Sequence, residues 1–269
     1  MTPEELAVEK LQHLTKRKYI LFTDRGNTSI QLSLKLGSHL KIKNACIQDQ
    51  GGWLTYDQFI KKEKLNLLYI DTDYGFIKQE ELAQFEKNSL LLLNTMPGYF
   101  ALEESIPAIE TICKENSVFL INDVSGSIGT NAAKYGDVII GSFGRWKPVN
   151  VEYGGFIAVN NKEHYDFLKK ALDKQIKPFY EQLNEKLDQL PDRLKLLRDA
   201  AEIVKKDLNT FEIVHKNAFG FNVVVKFSSI EEKMEIIDYC NLNGYEFTLC
   251  PRYIRVMEDA VSIEIKRLI

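Results

Sequence analysis

The stretch from residue 118 to residue 159 contains three short apolar segments: VFLIND at 118–123, VIIGSFGRWK at 138–147 and GGFIAV at 154–159. Continuous apolar runs of this length are typical of strands that are covered on both faces. Asp123, Ser142 and Lys147 follow the first two runs. Because ligands of open α/β sheets bind at the carboxyl ends of the strands, these side chains predict a functional site at that edge.

Four further apolar runs precede this stretch and predict more strands of the same sheet. They lie at Tyr19–Phe22, Ala45–Ile47, Leu67–Ile70 and Leu90–Leu93. Helical patterns separate several of the runs, notably Gln79 to Phe85 and Glu103 to Lys114. Strands that alternate with helices predict an α/β fold with a doubly wound, mainly parallel sheet.

The pattern changes near Lys162, where we place a domain boundary between residues 1–161 and 162–269. Residues 164 to 209 are helical in pattern, with interruptions at Pro178 and Pro191. After them we predict a strand from 221 to 227, a helix from 229 to 242, and strands around Tyr253 and from 262 to 265. This second part is therefore predicted to be a helical linker followed by a small C-terminal α+β domain.

Composition excludes several classes of protein. The formal net charge is −3, from 35 basic and 38 acidic residues, so no overall positive field would attract nucleic acid. No stretch of about 18 apolar residues predicts a membrane span. The four cysteines lie far apart without neighbouring histidines, which argues against a metal site or a redox dithiol. We expect a cytoplasmic protein that binds neither membrane nor nucleic acid.

The spacing of the strand-end residues resembles that of fold-type I pyridoxal phosphate (PLP) enzymes of the DegT/DnrJ/EryC1/StrS aminotransferase family. In that family a serine precedes the cofactor lysine by five positions and a Gly-Gly pair begins seven positions after it, as Ser142, Lys147 and Gly154-Gly155 do here. Asp123 and Gly129 reproduce a further family pair. Upstream, Gly26-Asn27-Thr28 resembles the turn that opens the family's first large-domain helix. The resemblance implies PLP as cofactor and the large-domain fold of these enzymes.

The chemistry of PLP gives the residues at these positions their expected roles. Lys147 would be the Schiff-base lysine, flanked by Trp146 and Pro148. Asp123 would face the pyridine nitrogen and keep it protonated, so that the cofactor can accept electrons.

The phosphate of the cofactor needs donors, and a helix N-terminus supplies them. The backbone of Gly26, Asn27 and Thr28 is expected to serve there, together with the hydroxyl of Ser142. Arg145 is a further candidate anchor.

An aromatic ring should lie against the pyridine ring, and Trp53 is the first candidate, with Tyr56 as second choice. The family usually has glutamine or histidine three positions after the aspartate, whereas this chain has Gly126. Ser125 or Ser127 is the expected substitute.

These observations together predict an aminotransferase that acts on a small amino compound, with a small-molecule amino donor and acceptor and a homodimeric assembly. Two alternatives stay open. One is a PLP-dependent lyase or desulfurase that uses a cysteine such as Cys250; the other is a non-catalytic binding protein with the aminotransferase fold. Arg252 and Arg255 are additional candidates for binding a substrate carboxylate.

Overall fold

A computed structural model describes residues 1–82 and 87–268. The strands are β1 (Tyr19–Thr23), β2 (Asn44–Gln48), β3 (Asn66–Ile70), β4 (Thr72–Asp73), β5 (Phe76–Ile77), β6 (Ser89–Asn94), β7 (Phe119–Asp123), β8 (Val138–Ser142), β9 (Gly155–Val159), β10 (Val223–Lys226), β11 (Phe247–Leu249) and β12 (Ala260–Ile263). The α-helices are α1 (Pro3–Thr15), α2 (Gly26–His39), α3 (Tyr56–Lys62), α4 (Gln79–Leu82), α5 (Ile106–Glu115), α6 (Lys162–Ala171), α7 (Tyr180–Asp188), α8 (Leu190–Asp207) and α9 (Ile230–Asn243). Short 3-10 helices span Pro97–Tyr99, Asn131–Lys134 and Ile265–Arg267.

All seven apolar runs of the first 160 residues lie in one sheet, whose strand order is β1-β9-β8-β7-β6-β2-β3. The pairs β2/β3, β2/β6, β6/β7 and β7/β8 are parallel, and β9 is antiparallel to both of its neighbours. The predicted mainly parallel sheet is therefore confirmed. Because β1, β7 and β8 run in the same direction, Thr23, Asp123 and Ser142 end at the same edge of the sheet.

The strand β3 differs from the prediction that every apolar run is covered on both faces. Leu68 is 46% exposed and Tyr69 is 56% exposed. The reason is position, since β3 is the edge strand of the sheet and pairs only with β2. An apolar run predicts a strand but does not say whether the strand is central or at the edge.

The helices between the strands begin and end close to the predicted positions. The predicted helix from Gln79 to Phe85 is helical over Gln79–Leu82, and its last three residues lie outside the described part of the chain. The helix α5 begins at Ile106 rather than at Glu103. Glu103 is buried instead, and its carboxylate accepts hydrogen bonds from the backbone of Ile77 and from Ser105.

The C-terminal unit is a three-stranded antiparallel sheet in the order β10-β12-β11, with α9 beside it. Ser229 caps α9, and Gly244 ends it with a φ of 69°. The predicted strand around Tyr253 is wrong. Residues 252 to 256 close a turn instead, in which Arg255 N–H donates to the carbonyl of Arg252 and Arg252 N–H to that of Val256.

The two parts of the chain share a hydrophobic core. One buried cluster includes Leu91 and Leu93 of β6, Leu197 of α8 and Val223 of β10. The helix α6, which lies after the predicted boundary at Lys162, packs on the large sheet through Leu168. The boundary stays a prediction, and the shared core holds the C-terminal unit against the strand ends. Within residues 1–82 and 87–268, no helix is long and apolar enough to cross a membrane.

Candidate active site

A cavity of about 210 Å³ lies at the carboxyl ends of the strands, and we call it the strand-end cavity. The predicted site residues that line it are Gly26, Asn27, Trp53, Asp123, Ser125, Ser142 and Lys147. Its other lining residues include Arg25, Asn94, Tyr99, Ile254 and Arg255. The fold thus brings most of the predicted residues to one place from segments more than a hundred positions apart.

Lys147 lies on the loop between β8 and β9 and is half-buried. Its Nζ donates a hydrogen bond to the hydroxyl of Tyr99. The same atom is 5.0 Å from the ring centroid of Trp53 and 4.7 Å from that of Tyr99. Aromatic faces attract an ammonium group at these distances, so two rings and one hydroxyl fix the amine inside the cavity.

Asp123 ends β7 and is buried. Its Oδ2 accepts a hydrogen bond of 2.6 Å from the hydroxyl of Tyr56, and its Oδ1 accepts one of 2.9 Å from the backbone N–H of Ser125. Burial raises the pKa of Tyr56 well above its ordinary value, and the neighbouring charge of Asp123 raises it further. Tyr56 therefore remains a neutral donor to Asp123, rather than the alternative stacking ring that its sequence position suggested.

The N-terminus of α2 opens into the cavity. No side chain caps this 14-residue helix, and its first turn contains no acidic residue. A Cβ atom at Gly26 would lie 2.6 Å from the Cβ of Ser142, so only glycine allows this close approach. The Oγ of Ser142 accepts a hydrogen bond from the N–H of Gly144, which leaves the hydroxyl proton free to donate. Uncapped N–H groups with a neighbouring hydroxyl form a site for a small anion.

Trp53 is held at the cavity wall by a polar contact. Its Nε1 donates a hydrogen bond of 2.9 Å to Oδ1 of Asn27, and Thr55 donates to the same oxygen at 3.4 Å. The side chain of Asn27 thus orients the indole.

Several candidate residues do not line the strand-end cavity, among them Thr28, Arg145 and Cys250. The hydroxyl of Thr28 donates to Asp24, and Arg145 stands over the ring of Trp146 at 4.8 Å on another side of the lysine loop. Cys250 lies in an apolar cluster, where burial raises the pKa of its thiol. A thiol with a raised pKa is a poor nucleophile, so the geometry offers no support for a desulfurase that uses Cys250.

Tyr99 is the main residue that sequence reasoning missed. It is buried, and its backbone has a φ of 67°, a left-handed conformation that is uncommon outside glycine. Its ring packs on Gly126, where an added Cβ would lie 3.0 Å from a ring carbon. Gly126 is the position at which the resembled family has a large polar residue. Here Tyr99 brings its hydroxyl to this region from a different strand end.

A buried ionic cluster closes the cavity from the C-terminal unit. Arg255 donates two hydrogen bonds of 2.7 Å to the carboxylate of Glu264, and Nζ of Lys266 lies 3.5 Å from the same carboxylate. Burial alone would raise the pKa of Glu264, but the hydrogen bond from Arg255 and the charges of Lys266, Arg255 and Arg267 lower it to about 2. Nζ of Lys266 also lies 3.9 Å from the ring centroid of Tyr99. Two lysines, Lys147 and Lys266, therefore contact the same tyrosine.

Comparison with known proteins agrees with this fold. Residues 191–269 match the family described as MJ1341 family C-terminal domain, and no curated protein matches the chain. The chain is similar to serine palmitoyltransferase from S. paucimobilis, whose structure has a bound PLP–myriocin aldimine, at 12% identity and a TM-score of 0.76 over 98% of this chain and 72% of that chain.

Two aminotransferases give comparable matches. Helicobacter pylori PseC, an aminotransferase involved in the biosynthesis of pseudoaminic acid, matches at 14% identity and a TM-score of 0.76 over 98% of this chain and 86% of that chain. A DegT/DnrJ/EryC1/StrS aminotransferase from Brucella abortus matches at 16% identity and a TM-score of 0.75 over 98% of this chain and 85% of that chain. At such identities the likeness shows the fold, and the fold implied by the sequence resemblance is confirmed.

Proposed function

We propose that this protein is a PLP-dependent enzyme of the aminotransferase type that acts on a small amino compound, with Lys147 as its Schiff-base lysine. One observation carries the proposal. The amine of Lys147, the carboxylate of Asp123 and the uncapped N-terminus of α2 all face one cavity of about 210 Å³. PLP presents an aldehyde, a pyridine nitrogen and a phosphate, and each of these groups has a counterpart in this set.

The residues fit PLP in chemistry and in position. The backbone N–H groups of Gly26 and Asn27, with the hydroxyl of Ser142, would hold the phosphate. The carboxylate of Asp123 would face the pyridine nitrogen, and the indole of Trp53 would cover one face of the ring. Structures with a similar fold contain this cofactor by their own titles, which supports the assignment.

The cofactor, when bound, accepts the electrons of a carbon–hydrogen bond that is broken next to the amino group of the substrate. The protein's own residues move the proton and stabilise the charge. Lys147 would take the proton from the substrate carbon and return it. Tyr99 would hold the lysine amine through its hydroxyl, and Tyr56 would hold Asp123 in orientation through its hydrogen bond of 2.6 Å.

Arg255 is the residue through which we propose that the site recognises an anionic group of the substrate. It lines the strand-end cavity, and Glu264 fixes the plane of its guanidinium group. Arg252, the other arginine suggested by sequence, does not line this cavity. A homodimer and a cytoplasmic location belong to the same proposal and rest on the sequence alone.

The visible absorbance of the protein tests the proposal. Added PLP should give an absorbance band above about 400 nm, as a lysine-bound cofactor requires. The band should saturate at about one cofactor per chain. An amino donor should then bleach the band, and a 2-oxo acid should restore it.

The variant Lys147→Ala should give no such band, whereas Lys206→Ala, which removes an exposed lysine of α8, should behave as the unaltered protein does. A protein that takes up no PLP would contradict the proposal. If an amino donor changes the band irreversibly, the protein still binds the cofactor, but its reaction is elimination rather than transamination.

A further inference from the structure

A second cavity, of about 420 Å³, lies beside the lysine loop and shares no lining residue with the strand-end cavity. Segments of both parts of the chain surround it: the loop from Arg145 to Glu152, the helices α7 and α8, the single residue Glu246, and the segment from Lys266 to Leu268. We call it the second cavity. The strand-end site as described above uses none of its space.

The charge of the second cavity is unusual for this protein. Five cationic side chains and two carboxylates line it, in a chain whose net charge is −3. The cations are Arg145, Lys186, Arg193, Lys266 and Arg267, and the carboxylates are Glu152 and Glu246. They come from the lysine loop, from two helices and from the C-terminal segment, so they surround the cavity rather than form a stripe on one element.

Several of these cations have no carboxylate partner within the described part of the chain. Arg145, which is exposed, makes no hydrogen bond or ion pair there, and its guanidinium lies 4.8 Å from the ring centroid of Trp146. Arg193 donates to the backbone carbonyls of Lys266 and Leu268, and Lys186 donates to the side chain of Gln189. The cations of the cavity outnumber its carboxylates, and this excess of positive charge favours a bound anion.

Two buried polar atoms at the second cavity lack a hydrogen-bond partner among residues 1–82 and 87–268. They are Oδ1 of Asn150 and Nε of Arg267. Arg267 does pair through its other nitrogen with Glu246, and its Nε lies 3.6 Å from the carboxylate of Glu264 without a hydrogen bond. Buried polar groups are nearly always satisfied, so the N–H of Arg267 Nε is available to donate to an anion, whereas Oδ1 of Asn150 is an acceptor and would need a donor group.

Trp146 contacts two of the guanidinium groups. The ring centroid is 4.8 Å from Cζ of Arg145 and 4.3 Å from Cζ of Arg267. Its backbone is held in the left-handed region, with a φ of 63°. Both guanidinium groups thus lie within cation–π distance of one indole, and guanidinium groups bind phosphate and carboxylate in bidentate fashion.

We infer that the second cavity is a binding site for a small polyanion, a molecule that carries two or more phosphate or carboxylate groups. The spread of cations over four segments favours more than one anionic group, and a volume of about 420 Å³ fits a small molecule. The site is independent of the proposed PLP chemistry. It nevertheless touches the active site, since Trp146 precedes Lys147 directly and Lys266 contacts both the second cavity and the ring of Tyr99.

The pKa of Lys266 is consistent with this site. Burial lowers the pKa of its amine well below the ordinary value, and the charges of Arg255, Lys147 and Arg267 act in the same direction. An anion in the second cavity would favour the charged form of Lys266.

Calorimetric titration tests the inference, with pyrophosphate and citrate as probes, at constant ionic strength and with saturating PLP present. PLP fills the phosphate position of the strand-end cavity, so the probes report on the second cavity. We expect saturable binding of about one probe per chain, and the tighter probe tells whether the natural ligand carries phosphate or carboxylate groups. In a Trp53→Phe background, the fluorescence of Trp146 should change along the same curve.

The variants Arg145→Gln and Lys186→Gln should each weaken binding by about tenfold or more. Neither side chain has an ionic partner in the described residues, so both variants should fold. Lys206→Gln removes one charge at a distant exposed position and should leave the dissociation constant unchanged.

The inference is overturned if neither probe binds saturably, or if Lys206→Gln weakens binding as much as Arg145→Gln does. Its failure differs from failure of the proposed function. A protein that takes up no PLP, but whose pyrophosphate binding is weakened by Arg145→Gln and Lys186→Gln, retains the second site and loses the first. Pyrophosphate binding that these two variants leave unchanged, or that displaces PLP, belongs to the strand-end cavity and overturns the inference.

Discussion

The strand-end edge of the large sheet and the C-terminal segment from Arg252 to Arg267 meet at Tyr99, and they are built in different ways. The first contributes single residues whose neighbours are backbone N–H groups, hydroxyls and rings, such as Asp123 and Lys147. The second contributes a buried ionic cluster in which one carboxylate, Glu264, serves several cations. In the proposed function, chemistry and closure are therefore separable: the first region would supply the reacting groups, and the second closes the cavity.

The largest expected effect concerns closure. In Glu264→Gln the cations of Arg255 and Lys266 lose their buried counter-charge, and breaking a buried ionic network costs about 3–5 kcal/mol of unfolding free energy. Urea unfolding measures this loss. Glu246→Gln is the matched control, because its carboxylate is mostly exposed and pairs with Arg267, and it should cost less than about 1 kcal/mol. Equal losses in the two variants would remove the distinction between the buried cluster and an ordinary surface pair.

Acid should weaken the same cluster. The pKa of Glu264 is about 2 in the folded protein against an ordinary value of 4.5. A carboxyl group whose pKa is lower in the folded than in the unfolded protein adds to the unfolding free energy. This contribution is complete above about pH 4.5 and is lost as the pH falls toward 2. The contribution of Glu264 to the unfolding free energy amounts to roughly 3 kcal/mol, from 1.36 kcal/mol for each pKa unit. Urea midpoints at pH 6 and pH 3 should differ more in the unaltered protein than in Glu264→Gln, and parallel curves would contradict this.

The next prediction concerns Asp123, which lines the strand-end cavity and lies outside the buried ionic cluster. Asp123→Asn should lower turnover by roughly 100-fold, as for loss of a preorganised electrostatic group, with little change in unfolding free energy or in cofactor binding. The reason is that the amide keeps the shape of the side chain and loses the charge. Asp137→Asn is the matched control, since Asp137 is a half-buried carboxylate directly before β8 that accepts from the N–H of Leu120, away from the strand-end cavity. If both variants lose activity alike, Asp123 has no special role.

The smallest expected effect lies where the two regions meet. Tyr99→Phe removes the hydroxyl that accepts from Lys147 and keeps the ring that lies on Gly126 and under Lys266. The unfolding free energy should fall by about 1 kcal/mol, the usual value for one hydrogen bond. Tyr135→Phe, whose hydroxyl has a single long contact of 3.5 Å with Asn131, should change it by less than about 0.5 kcal/mol. If Tyr135→Phe lowered the unfolding free energy more than Tyr99→Phe does, the hydrogen bonds of the two hydroxyls would not explain their contributions to stability.

The sequence predicted the strand-end region better than the C-terminal one, and the reason is physical. Buried parallel strands are continuous apolar runs, so the end of each run marks the residue that faces the site, as for Asp123 and Ser142. The segment Ser262-Ile263-Glu264-Ile265-Lys266 alternates polar and apolar residues, a pattern typical of a strand with one exposed face. In the structure both faces are buried, because the polar face packs against Arg255 and Tyr99.

Tyr99 could not be predicted for a similar reason. Nothing local marks it, since Gly98-Tyr99 follows Pro97 as in an ordinary turn. A signal was nevertheless present at a distance. The glycine at position 126, where the resembled family has a large side chain, leaves space that another residue must fill, and the structure shows that the ring of Tyr99 fills it.

The most direct test of the account is to identify the lysine that holds the cofactor, because two lysines contact Tyr99 and only one lines the strand-end cavity. The protein loaded with PLP is reduced with borohydride, digested and mapped by mass spectrometry. The account predicts one modified peptide, which contains Trp146, Lys147 and Pro148. Modification at Lys266, or spread over exposed lysines without preference for Lys147, would contradict it.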